Sequence, residues 1–190
     1  MALGDTHASE MTLPSPLRIE PIAGYSPTIG RLVGMLTYAR STTLAAVEGL
    51  TLPELDHLHD SESNSIGALL SHIVAAERSY QILTFEDRLL SPQENERWSI
   101  ALKLGASGRS SLRGYALEYY LEELAAVRQA TLEMLAARDD TWLEHTVGPA
   151  PKLNAHWVWF HVAEHEINHR GQIRWLRAHL PKAKINERVT

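Results

Sequence analysis

Residues 161–173 read HVAEHEINHRGQI, and the spacing of their histidines decides how the rest of the chain is read. His165-Glu166-Ile167-Asn168-His169 fits H-E-x-x-H, in which two imidazoles one helical turn apart hold a zinc ion beside a glutamate base. His161 repeats the same step one turn upstream. Positions i and i+4 stand one above the other on a helix, about 5–6 Å apart between Cβ atoms. His161 with His165, or His165 with His169, can therefore reach one ion. His161 and His169 lie about 12 Å apart along the axis, so the three cannot share it, and one histidine is left over.

The protease reading of this pattern fails on the residues downstream of His169. Zinc proteases take a third ligand from that side and bind substrate along a sheet edge. Pro181 breaks the helix, and the sole carboxylate after His169 is Glu187, in KINERVT. The longer H-E-x-x-H-x-x-G-x-x-H pattern also fails, because Gly171 comes one position early and Trp175 stands in the third-ligand place. No segment alternates as a strand would.

An open metal site still needs a third protein ligand from elsewhere. His72 is the best candidate, because it sits inside the apolar helical stretch SIGALLSHIVAAERSYQILTF, where an imidazole without a partner is costly to bury. His57, His59 and His145 lie in polar, turn-like sequence. The chain has ten histidines and no cysteine, so disulfides, thiolate nucleophiles and Cys-ligated zinc are excluded and any metal must be held by His, Asp or Glu. Against this stands the plain reading, a solvated helix face with a hydrogen-bonded His72.

Composition limits the remaining classes. With 190 residues and 44% hydrophobic content the chain can bury one sizeable core. A net charge of −5 without any Lys/Arg-rich block argues against nucleic acid. No run approaches the roughly 18 apolar residues of a membrane span, and residues 1–20 lack the pattern of a secretory signal. The expectation is a cytoplasmic protein that binds neither nucleic acid nor membrane.

Apolar periodicity predicts four long helices. Residues 1–20 have no apolar period and read as a flexible arm, leaving 21–190 as the folded domain. Helix one opens at Ser26-Pro27, with Ser26 as capping hydroxyl, and runs to about Glu48. Thr51-Leu52-Pro53-Glu54 reads as a capping box opening one short turn. Helix two begins at Ser63 or Ser65 and carries Ile66, Leu69, Leu70, Ile73 and Val74 on one face. Residues 86–112 read as a long connection with one short helix. Helix three spans about Leu112–Ala137, with Glu118, Glu122, Glu123 and Arg128 facing water, and ends at Asp139-Asp140. Asn154 caps helix four, which holds the opening stretch and stops before Pro181. Four amphipathic helices with long connections make an all-α, four-helix bundle.

Together, GALLSHIVAAE in helix two and HVAEHEINHRGQI in helix four resemble the DinB-like superfamily of metalloenzymes, also called DinB/YfiT-like. The resemblance runs from about Pro27 to Leu180 and includes GLTLPELDHL between helices one and two. It implies a DinB/YfiT-type bundle with a divalent ion, zinc or nickel, held at one end by three histidines in an open arrangement. Carried over residue by residue, the ligands are His72, His165 and His169, with His161 outside the set. Glu166 and Gln172 become candidates for supporting those ligands, as do Glu164, Asn168 and Arg170, each of which also reads as an ordinary surface residue.

Characterised relatives include S-transferases and an isomerase that use low-molecular-weight thiols. The isomerase branch replaces one histidine with Glu, whereas this chain keeps all three. The function expected is a metal-dependent, thiol-dependent S-transferase whose partners are a small-molecule thiol and an electrophile. The alternative is a non-catalytic helical ligand-binding or stress-associated protein with a structural or vestigial metal; haem binding by the histidines is a third reading. The aromatic surplus at Tyr119, Tyr120, Trp157 and Trp159 points to a homodimer, and Trp98, Trp142 and Trp157 are candidate pocket walls.

Overall fold

Serine, proline and glutamate fix where the helices of this chain begin. The computed structural model describes residues 18–148 and 153–181. Residues 1–17 of the expected arm lie outside the described residues, and residues 18–20 are exposed and non-helical. Helix α1 spans Pro27–Val47, α2 Leu52–Leu55, α3 Ile66–Phe85, α4 Pro92–Lys103, α5 Gly105–Ser111, α6 Leu117–Ala136 and α7 Ala155–Ala178, with a 3-10 turn at Asp140–Glu144 before α7. Among the described residues there is no strand, only the isolated bridge Thr146–Asn154. Among the described residues no helix is long and apolar enough to cross a membrane.

The helix starts follow capping chemistry, with one correction, at Ser26. Ser65, not Ser63, caps α3, accepting from the Ala68 N–H at 3.1 Å; Ser63 is tied into the turn at Asp60. Asn154 caps α7 by accepting from the Trp157 N–H at 2.9 Å. Ser26 stands at the N-cap of α1, but its hydroxyl makes no capping hydrogen bond. Instead the Asp140 carboxylate accepts from the Thr28 and Ile29 N–H groups and from the Ser26 and Thr28 hydroxyls. A charged acceptor at a helix N-terminus also meets the positive end of the macrodipole, so Asp140 does more than end the preceding helix.

The segment 86–112 is not a long connection with one short helix but two helices. Ser91-Pro92-Gln93-Glu94 forms a capping box that starts α4, with the Ser91 N–H donating to Glu94 at 2.8 Å. Leu104 and Gly105, both at positive φ, turn the chain into α5. The third long helix starts at Leu117, five residues later than the periodicity suggests, which leaves Tyr115 outside it.

Helices α1, α3, α6 and α7 make the bundle expected. α7 packs between α1 and α3, and α6 packs on α3 but touches α1 only sparsely. The core has two apolar halves. One is built around Leu55, Ile66, Leu70, Leu124 and Ile173, the other around Ile29, Leu36, Leu135, Leu143 and Trp159.

Between these halves lies a buried ring of charge, one residue per long helix. Arg40 of α1 donates to Glu77 of α3 at 2.8 Å and to Glu166 of α7 at 2.7 Å. Arg128 of α6 donates to the same two carboxylates at 2.7 and 2.8 Å. Burial alone would push the Glu77 carboxyl up, but Arg128 and Arg40, with Thr131, hold it below its ordinary value. Arg128 therefore does not face water. It is held inside further by Nη1, which donates to the Leu36 carbonyl at 2.6 Å.

The aromatic surplus divides. Trp159 and Tyr120 are core residues, whereas Tyr119 and Trp157 remain exposed.

Candidate metal centre

The seam between α3 and α7 brings together histidines far apart in sequence. His72 enters from α3, and His165 and His169 enter from successive turns of α7. One nitrogen from each lies within 4.8 Å of the others. The Nε2 atoms of His72 and His165 are 3.0 Å apart, and those of His165 and His169 are 3.1 Å apart.

Two neighbours fix which nitrogen points inward. The His72 Nδ1–H donates to the Ala101 carbonyl of α4 at 2.8 Å. The His169 Nδ1–H donates to Gln172 Oε1 at 3.1 Å. A neutral imidazole carries one N–H, so with Nδ1 protonated both rings present a bare Nε2 lone pair to His165. Such orienting hydrogen bonds on the far nitrogen are what metal-ligating histidines use. Helix α4, which apolar periodicity does not pick out as an element in its own right, thus supplies one of the two.

The electrostatics favour neutral rings. Burial pushes the His165 imidazole down to about 3, with His169, His72 and His161 adding to the effect. Burial also lowers His72, against the Ala101 hydrogen bond. Burial and then His72 lower His169, against Gln172. Three neutral imidazoles with converging lone pairs repel unless something positive sits between them. Zinc–nitrogen bonds of about 2.0–2.1 Å span nitrogens about 3 Å apart when the angle at the ion is slightly over a right angle. The donor set suits a divalent ion, which the three imidazoles would hold.

The remaining candidates fall in different places. His161 is outside the cluster; its Nδ1 lies 3.1 Å from Glu164, and its ring stacks on Trp157 with centroids 4.8 Å apart. All hydrogen bonds of the Glu166 side chain go to Arg40 and Arg128, none to a histidine. Arg170 donates to the Thr42 hydroxyl. Trp142 stacks on Phe85 within the core, Trp98 packs against the core under Arg97, and only Trp157 comes near the histidines, through His161.

Asn168 and Gln172, which flank His169 on α7, belong to the wall of a cleft of about 530 Å³ that none of the three histidines lines. Neither is an apolar landmark, and in the sequence they stand out only as neighbours of His169.

Comparison with known families agrees with the DinB-like resemblance. The family model described as MST, mycothiol-S-transferase, matches residues 31–181. No curated protein matches the chain.

Proposed function

The chain belongs to the mycothiol-S-transferase family, and we propose that it is a metal-dependent enzyme that joins a low-molecular-weight thiol, mycothiol, through its sulfur to a small electrophile, the S–H proton being lost as the new S–C bond forms. The observation that carries this reading is the convergence of His72, His165 and His169 with lone pairs turned inward. A zinc or nickel ion held there supplies a Lewis acid that lowers the pKa of a thiol brought to it.

The rest is the work of the chain's own residues. Ala101 and Gln172 hold the His72 and His169 rings in the tautomer that leaves Nε2 free. The Arg40–Glu77–Arg128–Glu166 ring ties α7 to the other three long helices beside the histidines, which keeps α3 and α7 in the register that makes the cluster. The lack of cysteine means that the nucleophilic sulfur comes from the bound thiol.

The test is a conjugation assay with zinc- or nickel-loaded protein, mycothiol and a panel of electrophiles. Thiol consumption should exceed the protein-free rate, disappear on chelation and return when metal is restored. A rate equal to the protein-free reaction with every electrophile, in protein shown to contain metal, contradicts the assignment and leaves a binding protein with a structural ion.

A further inference from the structure

Three of the four seams of the bundle are closed by packing, and the fourth, between α1 and α6, is not. Along it runs a groove of about 640 Å³, within the range of small-molecule sites. None of the histidines lines it; they belong to α3 and α7. Its walls are leucine-rich: Leu44 of α1 and Leu117, Leu121 and Leu132 of α6 rest on the core with one side only and remain half-buried.

The polar part of the groove is supplied by Arg40 and Arg128, which line it although they are only 3% and 6% exposed. A guanidinium carries five N–H groups, and each of these makes four hydrogen bonds. Those of Arg40 go to Glu77, to the Leu124 carbonyl and to both oxygens of Glu166. Those of Arg128 go to both oxygens of Glu77, to the Leu36 carbonyl and to Glu166. On each arginine the fifth N–H, at Nη1, has no partner among the described residues. A buried donor without an acceptor is costly, so two of them beside an apolar groove favour a ligand that brings an acceptor.

The surrounding charge narrows the ligand class. The two guanidinium charges are already cancelled by Glu77 and Glu166, and Glu48 is the one other ionisable residue that lines the groove. A carboxylate would leave water for an apolar site with no net positive charge to receive it. A hydrocarbon would leave both N–H groups unmet. An apolar helix from a second copy would do the same, since its carbonyls are bonded within the helix. A carbonyl oxygen on an apolar body meets all these conditions: it is neutral and has two lone pairs to offer.

We propose that the α1–α6 groove is a binding site for a neutral, largely apolar carbonyl compound, whose oxygen accepts from Arg40 and Arg128 and whose hydrocarbon body lies against the leucines. The site requires neither the metal nor a thiol, so it stands apart from the transferase reading.

The test uses three probes of one shape on the full chain: benzophenone, diphenylmethane, which lacks the oxygen, and 4-benzoylbenzoate, which adds a carboxylate. Calorimetric titration should show benzophenone binding about tenfold more tightly than diphenylmethane, the scale of one hydrogen bond to a charged group, and more tightly than 4-benzoylbenzoate. Illuminated benzophenone should crosslink to peptides containing residues 44–49 and 117–132. Ala45→Trp and Ala125→Trp, both at exposed positions on the groove and checked for an unchanged melting curve, should fill it and abolish binding and crosslinking. Equal binding of benzophenone and diphenylmethane, tightest binding of the carboxylate, or crosslinks that persist in both variants would overturn the proposal. A dimer in sedimentation that Ala125→Trp dissociates, with no probe bound by wild type, would assign the groove to a second copy and overturn it as well.

Discussion

The Nε2 atoms of His72 and His165 stand 3.0 Å apart although 93 residues separate them in the chain. With the His72 Nδ1–H committed to Ala101, its Nε2 has only a lone pair to offer. His165 can donate one proton to His72 or to His169, 3.1 Å away on its other side, but not to both. In the neutral state the cluster is thus left one donor short, so one of its Nε2 lone pairs has no hydrogen to accept.

The first consequence concerns pH. Burial lowers all three imidazoles, His165 to about 3, from an ordinary value of 6.5. Above pH 6.5 both folded and unfolded states hold neutral rings, so these groups add no pH dependence. As pH falls below 6.5 the unfolded chain takes up protons that the folded chain refuses, and stability declines toward pH 3. Metal-free protein should therefore melt at progressively lower temperature across that window, and His165→Ala should flatten the slope. An equal slope in both proteins contradicts the assignment of burial as the cause.

The buried ring yields a second prediction. Removing one member of a buried, hydrogen-bonded ion cluster leaves an uncompensated charge and costs about 3–5 kcal/mol. Arg128→Met should lower stability by that amount in urea denaturation. Adding Glu77→Gln to it restores neutrality through the remaining Arg40–Glu166 pair, so the double variant should lose less than the sum of the two single changes. Strict additivity would show that the four groups do not act as a unit.

Much of this architecture is legible in the sequence because it depends on local signals. The Asn154 cap, the His165/His169 step and Pro181 locate α7 from sequence alone. Helix α4 is harder because its sequence, PQENERWSIALK, is mostly polar and buries only Ala101; the Ser91–Glu94 capping box is its one readable mark. Charge alone places Arg128 on the surface. Its register says otherwise, since it falls one turn after Leu124 and one turn before Leu132, as Glu77 does after Ile73 and Glu166 after Val162. A charged residue in the apolar register of each of four helices signals a buried network, because each charge needs a partner of opposite sign at the same level. The Asp140 cap is not readable, because it acts on residues more than a hundred positions away.

A third prediction concerns the contact between α3 and α6. A Cβ on Gly67 would lie 2.5 Å from the Tyr120 hydroxyl oxygen and 2.9 Å from its ring carbon. Gly67→Ala should therefore destabilise the fold by about 1–3 kcal/mol, the usual cost of overpacking. The Tyr120 hydroxyl is buried without a hydrogen-bond partner among the described residues, so Tyr120→Phe should be neutral or stabilising, and it should recover part of the Gly67→Ala loss, the ring carbon at 2.9 Å remaining. Thermal melts of the two single variants and the double variant decide this; a strongly destabilised Tyr120→Phe would mean that the hydroxyl has a partner.

The central claim is that three histidines hold an ion at which a thiol is bound, and X-ray absorption at the zinc edge reads that ligand set directly. Zinc-loaded protein should show three imidazole nitrogens at about 2.0–2.1 Å, and addition of mycothiol should bring in one sulfur at about 2.3 Å. His169→Ala should abolish tight zinc retention with the bundle still folded, whereas His161→Ala should leave the three-nitrogen signal unchanged. A spectrum with fewer than three imidazoles in the wild type, loss of one in His161→Ala, or no sulfur at saturating mycothiol would contradict the account.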